Sequence, residues 1–414
     1  MSSPPRRLNI GIIGAGVRTP NLLSTKLPEL TIYHYLQEVF QICHFPIFQH
    51  QLSHLFQIHS ICDISPSLAH TATKYSSSTT IPHFTTHPQE VIDHPSIEAI
   101  FILTSDESHA PLTIAALKAG KNVFVEKPLT LSLPSVESIL DAERHAPNGA
   151  RVFVGYMRRY APSYVQVFKR EIADIPRILY ARVRDFSGPN GWFVGNSGSI
   201  DKKYQGVVKP DYPAGAAEER SMRLDKLFEE AFFPHHDRGE NKGDIITDEM
   251  RKYCRFLGSL GSHDISIMRE TLGFPEEVVG VSVNDPFYTA TFAFRNGGSG
   301  GSGKRYAVTY ESGIDGVAVF DAHVAVYGER KRVTIKYDSP YIKGLPIYVE
   351  VDEMNDDGEV QHRTVLSSYE DAYTAEMKEV YEAFANGKEI KTSVEDAKTD
   401  LEIFDMMYKK MGSN

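Results

Sequence analysis

Leu8-Asn-Ile-Gly-Ile-Ile-Gly14-Ala-Gly16-Val17-Arg18-Thr19 is the stretch on which the fold turns. Leu8 to Ile13 is apolar almost throughout, as in a strand buried on both faces, and the glycines after it predict a tight turn. Such a turn can bring backbone N–H groups toward a phosphate at a helix N-terminus. Gly14 permits the turn, Gly16 lets a pyrophosphate approach the backbone, and Thr19 stands where a third glycine is usual. Two readings fit: a dinucleotide-binding turn, with Val17 and Arg18 also facing the cofactor, or an ordinary strand-to-helix turn.

Pro20 to Gln57 carries Ile32, Leu36, Val39 and Phe40 at roughly helical spacing. Ile58 to Cys62 then reads as a second strand, ending at Asp63. A carboxylate at that strand end can take both adenosine ribose hydroxyls and repel a 2′-phosphate, which favours NAD. Ser65 and Arg18 keep NADP as the alternative. The gap from the glycines is about twice the usual ~20 residues, which an insertion around residues 26–56 accounts for. The other reading of Asp63 is a cap on the following helix, expected over Pro66 to Tyr75.

Ala99 to Leu103 is the plainest buried strand, and Pro111 to Ala119 reads as a helix closed by Gly120. Asn122 to Val125 and Arg151 to Val154 are further short strands. Repeated β-α-β units predict an α/β fold with a doubly wound parallel sheet over residues 1–155. Beyond Tyr160 the pattern changes, and residues 156–414 form the second expected domain. Ile178 to Phe186, Val278 to Val283, Tyr288 to Phe294, Tyr306 to Tyr310, Ala318 to Tyr327 and Arg332 to Tyr337 read as strands of a largely antiparallel sheet. Asn296 to Lys304, nearly all glycine and serine, reads as a flexible hairpin tip. Residues 187–256 read as a long excursion with little periodicity, and Tyr373 to Ala385 and Val394 to Lys410 as amphipathic helices.

A chain of 414 residues with 41% hydrophobic and 24% charged residues suits a two-domain globular protein. The net charge of −10 argues against a nucleic-acid partner, and the N-terminal apolar run is too short for a membrane span. Three cysteines without paired ligand spacing exclude a disulfide scaffold and point to a reducing, cytoplasmic setting. His44, His50, His54 and His235-His236 lack convergent partners at ligand spacing, so no metal is assigned.

Two residues stand out for chemistry. Lys127, in Glu126-Lys-Pro128 directly after a strand, is expected at the carboxyl end of the parallel sheet, where ligands bind. Desolvation there would lower its pKa and let it exchange a proton with a substrate oxygen; the other reading is a solvated lysine paired with Glu126. His263, in Gly258-Ser-Leu-Gly-Ser-His-Asp264, is expected at a glycine turn opening the helix Ile265 to Leu272. A helix N-terminus would keep its imidazole neutral and able to accept a proton near pH 7. A structural histidine is the alternative.

In order, Gly14-Ala-Gly16, Asp63, Thr104-Ser105…His109, Glu126-Lys127-Pro128, Gly155-Tyr-Met-Arg-Arg-Tyr160 and Gly261-Ser-His263 resemble the glucose–fructose oxidoreductase/inositol dehydrogenase (Gfo/Idh/MocA) family. The likeness is close over residues 8–173 and 257–280, and looser in the C-terminal helices. It implies an N-terminal Rossmann domain, a C-terminal α/β domain with an open sheet that assembles homodimers or homotetramers, and hydride transfer between NAD(P) and a secondary alcohol of a sugar, polyol or related small molecule. Carried over, Lys127 would orient the reacting hydroxyl and join a proton relay with His263 as base or acid. Thr104, Ser105 and His109 would line the nicotinamide side, Glu126 would fix the cofactor or Lys127, and Tyr156 and Arg159 would face the cofactor–substrate boundary. Ser259 and Ser266 stand where the family commonly has aspartates, and Ser259 can still hydrogen-bond a substrate hydroxyl.

Two competing outcomes follow from the same residues: a dinucleotide-binding regulator, or a redox-neutral enzyme with tightly held NAD. The excursion holds Trp192, the only tryptophan, with Phe193, Tyr204, Tyr212, Phe232 and Phe233. These aromatics form either a lid in which Trp192 touches substrate or a small satellite core.

Overall fold

A computed structural model of the chain describes residues 5–15, 43–67, 82–196, 211–233, 246–298, 300 and 302–411. Two compact units emerge: the first comprises residues 1–155, 194–247 and 376–399, the second residues 156–193, 248–375 and 400–414. The excursion is thereby divided, and most of it belongs to the first unit.

The first unit is built on a six-stranded sheet of β1 (Leu8–Ile13), β2 (Phe56–Cys62), β3 (His83–Thr85), β4 (Ala99–Ile102), β5 (Asn122–Glu126) and β6 (Val152–Gly155). Its order is β3-β2-β1-β4-β5-β6, with every pairing parallel. Strands covered on both faces must be apolar along their length, and β4 and β6 are buried at every position. Phe101 stacks on Phe124 at 5.1 Å, with Phe48 and Phe56 edge-on to Phe101. Helices α1 (Asp106–Lys118) and α2 (Leu133–Arg144) follow β4 and β5.

The region expected as an excursion with little periodicity contains the helix α3 (Ala216–Phe232), which packs on α1 and α2. Leu224, Leu227, Phe228 and Ala231 form its buried face, at i, i+3, i+4 and i+7. Glu230 accepts from Ser132 Oγ at 2.6 Å and Ser135 Oγ at 3.0 Å, and Arg220 lies 3.1 Å from Glu107. The helical period was present in the sequence but obscured by the glycine, proline and charge around it.

The second unit carries an eight-stranded sheet: β7 (Ile178–Ser187), β8 (Glu277–Asn284), β9 (Phe287–Arg295), β10 (Arg305–Ile314), β11 (Phe320–Gly328), β12 (Lys331–Tyr337), β13 (Tyr348–Met354) and β14 (Val360–Val365). Its order is β14-β13-β12-β11-β7-β10-β9-β8, antiparallel except for the parallel pair β7–β10. Burial alternates along β12, with Val333, Ile335 and Tyr337 inside, as one-sided packing requires. The last two strands were not anticipated, because Tyr348–Met354 is acidic and Val360–Val365 mostly exposed.

Helices α4 (Asp248–Phe256) and α5 (Ser262–Leu272) belong to the second unit, and α6 (Ala372–Asn386) and α7 (Val394–Met411) complete the chain. Between α4 and α5, Leu257–Gly261 forms a π-helical turn, with Phe256, Gly261 and Ser262 all in right-handed helical geometry. The path from residue 248 to 272 is therefore one continuous helical run. The expected glycine turn before His263 does not exist. Gly261 serves close packing instead: a Cβ there would stand 2.8 Å from Tyr310 Oη on β10.

Candidate functional site

Within the first unit, chemistry-bearing residues gather at the carboxyl ends of β1, β2, β4 and β5. Gly14 follows β1 with φ +100°, and a Cβ there would meet the Leu103 carbonyl oxygen at 2.6 Å. Only glycine fits this turn, and Gly14 itself is partly exposed. Gly16, Val17 and Arg18 lie outside the described residues.

Asp63 ends β2 and closes the turn from the other side. Its Oδ2 accepts the Ala15 N–H at 3.0 Å, and its Oδ1 accepts the Ser65 N–H at 2.9 Å. Burial raises its pKa, the two backbone donors pull it back, and the charge of Asp211 adds to the rise. Each carboxylate oxygen keeps lone-pair capacity for a further donor. A glycine-only turn facing an acidic strand end fits the adenosine half of a dinucleotide, so the residues present suit that cofactor.

Thr104 and Ser105 stand half-buried at the end of β4. The Ser105 hydroxyl bonds Glu107 at the start of α1. His109, expected to line the crevice, is fully buried and acts as a brace: Nδ1 lies 2.6 Å from the Pro128 carbonyl and Nε2 3.0 Å from the Thr104 carbonyl. It ties the loop after β4 to the Lys127-Pro128 segment, whose peptide bond is cis.

Lys127 is 6% exposed, and its backbone N–H donates to Glu126 Oε2 at 3.2 Å. The solvated-lysine reading therefore fails on burial. The other oxygen of Glu126 lies 2.8 Å from Nε2 of His44, which is wholly buried. His44 comes from the inserted stretch and had no visible partner in the sequence, because 82 residues separate it from Glu126. Among the described residues no group of three or more His, Cys, Asp or Glu is placed to hold a metal ion.

In the second unit, His263 is half-buried on α5, between buried Ser262 and Asp264. Because the helix continues N-terminally, the dipole argument for its neutral form lapses. Its surroundings are set by an ion cluster that the sequence did not reveal. Arg158 donates to Asp264 Oδ1 and Asp185 Oδ2, both at 2.7 Å, and lies 5.2 Å from the Tyr337 ring centre. Burial opposes the Arg158 charge, yet the two aspartates outweigh it and its pKa rises. Arg158 thereby anchors the residue next to His263 to β7.

Arg159 pairs with Glu270 of α5 and lies 5.7 Å from the Tyr156 ring, both Arg159 and Tyr156 being buried. The guanidinium expected at the cofactor–substrate boundary is thus engaged in holding α5. Ser259 Oγ donates to the Phe256 carbonyl at 3.3 Å, and Ser266 Oγ to the His263 carbonyl at 3.2 Å. Phe193 is buried against Phe320, whereas Trp192 is 49% exposed. Phe232 and Phe233 fall in the first unit and Trp192 and Phe193 in the second; Tyr204 lies outside the described residues.

Two family models match the chain. One, described as an oxidoreductase family with an NAD-binding Rossmann fold, covers residues 8–156; the other, the C-terminal alpha/beta domain of the same family, covers residues 248–414. The scyllo-inositol 2-dehydrogenase (NAD(+)) of Bacillus subtilis is 38% identical over 116 residues, which is 27% of this chain and 33% of that protein. The matched stretch is thus a third of that relative's length. The myo-inositol 2-dehydrogenase of Thermotoga maritima is 23% identical over 317 residues, covering 76% of this chain and 77% of that protein. Among solved structures, a levoglucosan dehydrogenase in complex with NADH and levoglucosan superposes with a TM-score of 0.64 at 17% identity, covering 99% and 98% of the two chains. An oxidoreductase from Thermotoga maritima gives 0.63 at 16%, covering 98% and 97%. At these identities the structural likeness is one of fold.

Proposed function

The chain belongs to the Gfo/Idh/MocA oxidoreductase family, with that family's NAD-binding Rossmann domain at its N-terminus, and from that premise we propose that it is an NAD-dependent dehydrogenase acting on a secondary alcohol of a polyol, cyclitol or sugar. The observation that carries the reading is Lys127, buried at the carboxyl end of β5 in a unit whose Gly14 turn and Asp63 suit a dinucleotide. The inositol dehydrogenases among the relatives favour a ring polyol as the first substrate to try.

Bound NAD supplies the hydride acceptor. Gly14 admits the cofactor to the backbone, Asp63 accepts from the adenosine ribose, and Thr104 and Ser105 line the nicotinamide side. Glu126 and His109 hold the segment that carries Lys127. In this reading Lys127 orients the reacting hydroxyl by donating to its oxygen, and His263 takes the hydroxyl proton, returning it when a ketone is reduced. Tyr156, Ser259 and half-exposed Trp192 contribute to substrate binding. The eight-stranded sheet assembles the protein as a homodimer or homotetramer, and the site is cytoplasmic.

The test is nicotinamide absorbance with NAD across inositols, other polyols and sugars, wild type beside Lys127→Ala. Turnover in wild type that drops more than about a hundredfold in the variant, with NADH binding retained, is the expected outcome. Undiminished turnover in Lys127→Ala would remove the lysine from the chemistry. Tight NADH binding without turnover on any substrate would favour the regulator or the redox-neutral enzyme.

A further inference from the structure

Asp63 is not the only carboxylate at the end of β2. Asp211, which enters the first unit from the inserted region, reaches the same turn. Its Oδ1 accepts the Ser65 hydroxyl at 2.6 Å and the Ser67 N–H at 3.0 Å, and its own N–H donates to Ser65 Oγ at 3.2 Å. Ser65 is therefore held between two acids: its N–H serves Asp63 and its hydroxyl serves Asp211.

In a Rossmann domain the residues just past the ribose-reading acid meet whatever is attached to the ribose 2′-oxygen. A 2′-phosphate needs hydroxyl and backbone N–H donors there, and a positive or neutral environment. This chain has the donors, in Ser65 Oγ–H and Ser67 N–H, but an internal carboxylate already occupies them. A carboxylate oxygen presents the same acceptor chemistry as a phosphate oxygen. We propose that Asp211 is a specificity-determining residue that stands in for the 2′-phosphate on the Ser65–Ser67 turn and thereby excludes NADP.

Two physical effects act together. The donors a phosphate would use are consumed, and a second negative charge is placed beside Asp63, against which a dianionic phosphate would have to be brought. The hydrogen bonds from Ser65 and Ser67 hold the Asp211 carboxyl at about 2, below the ordinary range, so its charge is present throughout the neutral region. In the sequence, Asp63 favours NAD while Ser65 with Arg18 leaves NADP possible. The inference rests on the reading that the first unit binds a dinucleotide at Asp63.

The experiment is equilibrium binding followed by the fluorescence of NADH and NADPH, with 2′,5′-ADP as a competitor, for wild type, Asp211→Ala and Asp211→Asn. Asp211→Ala frees both donors and removes the charge; its NADPH and 2′,5′-ADP affinities should rise roughly tenfold or more, the scale of one charge-assisted hydrogen bond, while NADH affinity changes less than about threefold. Asp211→Asn keeps the side-chain shape, so it decides the question should the alanine variant fail to fold, and a smaller gain in the same direction is expected. Wild-type binding of NADH with no gain for NADPH in either folded variant would overturn the inference and leave the dinucleotide site standing. Binding of neither dinucleotide by folded wild type would overturn both.

Discussion

Glu376 is wholly buried in the first unit, and neither of its carboxyl oxygens has a hydrogen-bond partner among the described residues. Burial raises its pKa well above the ordinary value, the Glu126 charge adds to the rise, and Lys391 opposes it. An acid so raised takes up a proton on folding once pH passes its unfolded value of about 4.3. Its contribution to stability is thus full below that pH and is lost as pH rises through the folded value. Glu376→Gln has nearly the same shape and no such dependence. Its melting temperature is expected to exceed that of wild type at pH 8, with the difference shrinking toward pH 4. A difference that is absent, or that grows on acidification, would contradict a buried protonated acid. At this scale Asp63 and Lys127 were legible because each directly follows an apolar strand run. His44, Arg158 and Glu376 were not, since their partners lie far away in sequence.

Among the elements, α2 and α3 show how the inserted region becomes structural. Ser132 is the N-cap of α2, accepting the Ser135 N–H at 3.2 Å, while its own hydroxyl proton goes to Glu230 on α3. One side chain therefore both starts α2 and ties α3 to it. Ser132→Ala removes the cap and one of the two serine hydroxyls on Glu230, and is expected to cost about 1–2 kcal/mol. Urea unfolding measures this directly, and a cost near zero would mean that α3 is merely adjacent. The opposite lesson comes from α5. Glycines in the sequence suggested a helix start before His263, whereas the continuous path shows that Gly261 is needed where Tyr310 comes close. Composition shows where backbone freedom is available; only the neighbouring element shows whether it is used for a turn or for packing.

For the whole molecule, the half-buried face of the eight-stranded sheet is where the proposed assembly would form. Arg184 bridges Glu311 at 2.9 Å and Asp321 at 3.1 Å, and its guanidinium lies 4.7 Å from the Phe186 ring centre. Tyr180 packs on Tyr327 at 5.6 Å, and Phe186 on Phe287 at 5.2 Å. Ordered aromatic and arginine groups, half-buried on a broad sheet, are the composition of protein interfaces. Light scattering is expected to return two or four times the chain mass of 46.4 kDa, and a monomer mass across the micromolar range would refute the proposed assembly.

Local rules suffice for the parallel sheet, the glycine turn, Asp63, and Lys127 at a strand end: a strand covered on both faces must be apolar, and a turn at positive φ requires glycine. The sequence also carries the motifs that resemble the oxidoreductase family. The His44–Glu126 contact, the Arg158 cluster beside His263, the place of α3 and the seating of Asp211 on Ser65 and Ser67 arise only in the folded chain. Each is an interaction between buried or charged groups distant along the chain. Their energies depend on which partner folding brings within hydrogen-bonding range, and no local pattern encodes that choice.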